Sequence, residues 1–69
     1  MTEEFLTIIK SWGWRIKRVG TTQVKLAKKA GVGITTLNRC CAGKGLPTME
    51  SFVKIETTLK SLEKEKGII

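Results

Sequence analysis

A chain of 69 residues with a formal charge of +7, 13 basic side chains and only six acidic ones has material for one domain around a modest core and no room for a second lobe over a catalytic cleft. It holds no histidine and no tyrosine, which removes the commonest general base, the imidazole metal ligand and the Ser-His or Cys-His nucleophile pair, so no enzyme, cofactor or metal site is expected. No apolar run approaches the ~20 residues of a membrane span and no signal or transit pattern leads the first element; the expectation is a cytoplasmic chain with no membrane partner and no small-molecule substrate.

The first helix is expected to start at Thr2, a capping side chain, with Glu3 and Glu4 in a first turn where the helix dipole favours negative charge. Phe5, Ile9, Trp12, Ile16 and Val19 then repeat at the spacing of one helical face, with Ile8 beside it, and Gly20 closes the element. Gly13 is a weak point that costs ~1 kcal/mol relative to alanine, which leaves room for a kink or for a start nearer Trp14. Trp12 belongs to the apolar stripe. Trp14 points about 200° away from it, either packed partly against the chain end or meeting a second subunit.

Thr22 is placed to cap a second helix from Gln23 to Ala30, with Leu26, Ala27 and Ala30 inward and Lys25, Lys28 and Lys29 outward. Gly31 supplies the left-handed residue that ends it, and a third helix runs from Ile34 to Cys41 with Leu37, Cys40 and Cys41 on its inner side. Two helices joined this tightly cross steeply, and small Ala27 lets them approach. The unit spans about 22–42 and reads as a helix-turn-helix, whose second helix is shaped to place its first turn against base edges in a DNA major groove. The adjacent Cys40 and Cys41 suit neither a structural zinc site nor a disulfide within one helix, so they are read as packing residues in a reducing compartment.

After a loop at Gly43–Pro47, Thr48 caps a last helix over about 49–65, whose Phe52, Val53, Ile55, Leu59 and Leu62 form the apolar side and whose Glu50 with Lys54 and Glu56 with Lys60 sit on the wet side. Leu59 and Leu62 belong to the core or to a second subunit, and Ile68 and Ile69 give no reading. No strand, repeat or low-complexity stretch interrupts the pattern. The fold class is all-α, a small bundle of four helices with a fifth as the variant.

Charge is segregated along the chain. Between Phe5 and Met49 there is no acidic residue, while Lys10, Arg15, Lys17, Arg18, Lys25, Lys28, Lys29, Arg39 and Lys44 supply nine positive charges. Such a polarised field draws in polyanions.

The pattern T-Q-x-x-L-A-x-x-A-G-V from Thr22 to Val32, T-L-x-R from Thr36 to Arg39, Gly43-Lys44 and Pro47-Thr48 resemble the lambda-repressor/Cro-like (XRE) helix-turn-helix family across Trp12 to Leu59. The resemblance implies a bacterial or phage DNA-binding transcription regulator, often dimeric, in which Gln23, Lys28 and Lys44 hold phosphates. Ile34, Thr35, Thr36, Asn38 and Arg39 would face the bases. Members commonly pair an arginine in the first helix with a glutamate before the loop; here those positions are Ile16 and Cys41, so both partners have become apolar and are expected to meet. Family members also usually add a turn and a short fifth helix where this chain continues a charge-rich helical pattern through Lys60–Lys66, an expected overhang.

The function expected is a sequence-specific double-stranded DNA-binding regulator, a repressor by occupancy, nucleoid-associated. A single module buries only ~600–1,000 Å² on DNA, which favours a homodimer with Trp14, Leu59 and Leu62 as contact candidates. The rivals are a protein-interaction module of the same fold, antitoxin-like or regulator-binding, and a non-specific packaging protein.

Overall fold

The computed structural model describes residues 3–67, which form α1 (Glu3–Arg18), α2 (Gln23–Ala30), α3 (Ile34–Cys41) and α4 (Met49–Glu65), with no strand among the described residues. The expected cap at Thr2 lies outside them, as do Ile68 and Ile69. Helix α1 runs through Gly13 without interruption, because every neighbouring residue of the apolar stripe is anchored in the core. Among the described residues no helix is long and apolar enough to cross a membrane.

The core follows the helical periodicity closely. Ile9, Trp12, Ile16 and Val19 from α1 and its end meet Leu26 and Ala27 of α2, Leu37 and Cys40 of α3, and Phe52, Ile55 and Leu59 of α4. Helix α2 packs on α3 and α4, and α1 packs on α3. The α1–α4 seam is built from long side chains instead: the Phe5 and Phe52 rings meet edge to face at 5.0 Å, and Trp12 lies 5.6 Å from Phe52.

Beside these rings runs a cluster of ion pairs that the sequence does not announce. The Arg15 guanidinium donates to Glu56 Oε1 at 2.5 Å and, through two nitrogens, to both carboxylate oxygens of Glu63 at 2.8 and 3.0 Å. The Trp12 indole N–H donates to the same Glu56 oxygen at 2.7 Å, and Arg18 reaches Glu63 at 2.5 Å. Glu63 keeps 2% of its surface and Glu56 9%. Glu56 is therefore not on the wet side as expected, and its Lys60 partner stands 4.0 Å away, much the weaker contact. The tail does not overhang either: Leu59 is fully buried and Leu62 packs against the core, so α4 is held over its whole length and Leu59 has no surface to offer a second subunit. Val53, expected in the apolar stripe, is exposed, because it follows Phe52 by one residue and turns about 100° away from the core.

Hydrogen bonds from Arg15 hold the Glu63 carboxyl below its ordinary value of 4.5, against a smaller opposing effect of burial. A carboxyl depressed in the folded state stabilises the fold above its ordinary pKa, and that contribution is lost as pH falls toward the depressed value. Glu63→Gln, which leaves Arg15 short of a counter-charge, is expected to cost about 3–5 kcal/mol. Thermal melts at descending pH check this: the wild-type melting temperature should fall on the acid side of 4.5, and the variant should lack that part of the decline.

Candidate nucleic-acid interface

The two central helices are joined with little slack. Thr22, extended at φ −121°, accepts the backbone N–H of Lys25, and Gly31 at φ 75° closes α2 with its N–H on the Ala27 carbonyl. Only glycine takes that left-handed conformation without a steric penalty. Val32 bonds to the same carbonyl at 3.0 Å, Gly33 turns the chain into α3, and Ala27 sits buried beside Leu37 and Cys40 in one cluster. The small alanine side chain permits the close crossing that presents α3 outward.

Helix α3 is capped by Gly33, which has no side-chain acceptor, so the backbone N–H groups of its first turn face outward without intramolecular partners, as helix starts do. Thr35, Asn38 and Arg39 are exposed, and Ile34 keeps 36% of its surface. Thr35 with Arg39 and Ile34 with Asn38 stand one turn apart, so the four share one strip. Thr36 is half-buried at the edge of this strip, its hydroxyl close to Gly33. The stem of Arg39 lies against the loop: a β-carbon on Gly45 would come within 3.7 Å of Arg39 Cβ, and the Lys44 N–H bonds the Arg39 carbonyl at 2.9 Å. The Arg39 guanidinium has no acidic partner among the described residues.

Around the strip the charges are fewer than the sequence count, because Arg15 and Arg18 are spent on Glu56 and Glu63. Lys10, Lys17, Lys25, Lys28, Lys29 and Lys44 remain exposed, as does Arg39, and no carboxylate lies between them in sequence. Lys28 lies on the outer side of α2, Lys44 in the loop after α3, and Gln23, half-buried, at the first position of α2.

An open groove of about 560 Å³ separates α1 from these elements, with Gly13, Trp14 and Lys17 on one wall and Gln23, Asn38 and Cys41 on the other. Trp14 is 55% exposed and carries the Arg18 guanidinium 4.8 Å from its ring centre. It packs on its own helix, and the groove it lines continues into the strip through Asn38. Sequence reasoning gave Trp14 either to packing against the chain end or to a subunit contact, and Lys17 only to the general charge. The signal it lacked was long-range, since nothing local says that α1 will lie alongside Gln23 and Asn38. Ile16 is buried and Cys41 packs against the same cluster, so the two positions where the resemblance implies an ion pair join one apolar core.

Comparison with known proteins gives two findings. A family profile described as Helix-turn-helix matches residues 14–65. Over 44 residues, 64% of its length, the chain is 39% identical to the cryptic phage CTXphi transcriptional repressor RstR of Vibrio cholerae serotype O1 (strain ATCC 39315 / El Tor Inaba N16961). The chain spans 39% of the length of that curated relative. No solved structure matches.

Burial pushes both cysteine thiols above their ordinary value, with each other's proximity adding to Cys41, so neither is an activated nucleophile at neutral pH. Cys40 is sealed in the core and Cys41 borders the groove. Iodoacetamide should therefore modify Cys41 before Cys40, slowly at pH 7 and faster in alkali; fragment mass spectrometry of the alkylated chain reads the order.

Proposed function

Because this chain belongs to the helix-turn-helix family of the lambda-repressor/Cro-like type, we propose that it is a sequence-specific, double-stranded DNA-binding regulator of bacterial or phage transcription that represses by occupying its site. The observation that carries this reading is the strip of Ile34, Thr35, Asn38 and Arg39, exposed on a helix with an open first turn within a stretch of sequence whose charged residues are all basic. In a major groove, Arg39 can fork onto guanine O6 and N7, Asn38 onto adenine, and Ile34 against a thymine methyl, while Thr35 donates or accepts. Thr36, half-buried, serves the edge of this contact. Gln23, Lys28 and Lys44 take phosphates, which fix register and carry no sequence information. Repression is supported by the likeness to a protein named as a phage transcriptional repressor.

One module of this size makes a small footprint, so two copies would read half-sites about 34–36 Å apart. Leu59 is buried and Leu62 half-buried, so neither is suited to the subunit contact. Met49 and Val53, exposed one turn apart at the start of α4 and preceded by exposed Leu46, offer an apolar surface for it. The rival reading, a protein-interaction module using Trp14 and the tail, is weakened by the same burial: Leu59 and Glu63 are occupied within the chain.

Selection from random duplexes should yield a consensus. Against it, Arg39→Ala should lose about 1–3 kcal/mol on the selected site and much less on random DNA, whereas Lys44→Ala should weaken both and lower the salt slope by about one unit. A flat selection profile would mean packaging instead of readout. Mass measurement in solution should give twice 7.7 kDa for the wild type, and the single-chain mass for Met49→Ser with Val53→Ser.

A further inference from the structure

The family resemblance assigns roles to Gln23 and Asn38 on one wall of the groove but none to Gly13, Trp14 and Lys17 on its α1 wall, yet three features of the groove converge. Lys17, the Gln23 amide and the Asn38 amide can each donate a hydrogen bond, none is engaged by another side chain among the described residues, and no carboxylate lines the groove. Such a lining selects an anion. Trp14 adds a ring at the rim, 55% exposed and carrying the Arg18 guanidinium 4.8 Å from its centre, and its indole N–H makes no hydrogen bond among the described residues, so the group next to the anion is flat or apolar enough to cover a ring.

The third feature is Gly13. It sits in the interior of α1 with no positive φ, and a β-carbon added there would meet nothing within 4 Å. Neither backbone conformation nor crowding therefore requires glycine, although it costs the helix ~1 kcal/mol relative to alanine. Its one structural consequence is that the wall beside Trp14 and Lys17 stays open. The groove, about 560 Å³ and open to solvent along its length, has room for a phosphate and the sugar beside it.

We propose that this groove seats one phosphodiester of the DNA backbone, with Lys17 and Gln23 on the phosphate oxygens and the Trp14 ring against the neighbouring deoxyribose. The proposal rests on the DNA-binding reading above and extends the interface onto α1, which the resemblance left out. It places Trp14 on DNA and not on a second subunit. Because Asn38 lines the groove and also belongs to the α3 strip, a phosphate seated there fixes how far α3 enters the major groove. Contacts of this kind set register and act equally on all sequences.

The test titrates a short duplex of random sequence at several salt concentrations. Lys17→Ala should lower the slope of log K against log salt by about one unit without changing the melting temperature, since Lys17 is exposed. Gly13→Leu should raise the melting temperature through its better helix propensity and yet weaken binding severalfold, because its side chain fills the groove while every donor stays in place. Duplex should also shift the emission of the wild type but not of Trp14→Phe, and should protect Cys41 from alkylation. If the wild type binds duplex while Lys17→Ala and Gly13→Leu match it in slope and affinity, the groove is not on the backbone, although the DNA-binding reading survives. If Trp14→Ala halves the mass in solution with DNA affinity per subunit unchanged, the ring is a subunit contact and the proposal is overturned. A wild type that binds no duplex at any salt overturns the DNA-binding reading and the groove with it.

Discussion

The register of α1 on α4 depends on one guanidinium. Arg15 stands between Glu56 and Glu63 and is hydrogen-bonded to both, and α1 and α4 meet elsewhere mainly through the Phe5, Trp12 and Phe52 rings. Ring packing is tolerant of rotation and slide, whereas a forked bond to a carboxylate fixes distance and angle together. The Trp12 indole bonds the same Glu56 oxygen as Arg15, so the largest core side chain and the ion cluster hold each other in register. The side chains of Arg15, Glu56 and Glu63 keep only 12%, 11% and 3% of their surface. Such an arrangement stabilises only when every lone pair is used, and no buried side-chain nitrogen or oxygen is left without a partner among the described residues.

The placement of charge on this chain is accordingly the reverse of the family pattern it resembles. At the two positions where a pair of ions would join the first helix to the end of α3, Ile16 and Cys41 enter the apolar cluster. The buried charges stand instead one helix face away, between α1 and α4. Removing both members of a buried pair is tolerated in a way that removing one is not. The exchange leaves the α3 side of α1 free of acidic groups, and Lys17 and Trp14 face Gln23 and Asn38 with no carboxylate between them.

The separation of acidic from basic residues thus does two different things. Where the acids of α4 reach back to α1, they cancel Arg15 and Arg18 and make structure. On α2, α3 and the following loop, the lysines and Arg39 stand exposed with no carboxylate partner among the described residues. On the proposed reading, these cations take phosphates and the polar strip of α3 takes the bases, the division of labour between positioning and readout that duplex recognition requires. Cys40 and Cys41 take no part in it as nucleophiles, since burial keeps them protonated.

Local chemistry was enough to read the helices. The 3.6-residue period placed Ile9, Trp12, Ile16, Leu26, Leu37, Ile55 and Leu59 inward, Thr22 and Thr48 side chains cap α2 and α4, and Gly31 ends α2, because each of these depends on residues within a turn or two. What period and capping cannot say is which residue stands opposite across 40 or more positions. Glu56 looked like a surface partner of Lys60 until α1 brought Arg15 and Trp12 to it over separations of 41 and 44 residues, Glu63 looked like part of a solvated tail, and Trp14 and Lys17 had no visible neighbour on α2 or α3. A face can be assigned from the sequence because helical geometry is local; the partner on that face is decided only by how the helices pack, since burial and pairing are properties of two segments at once.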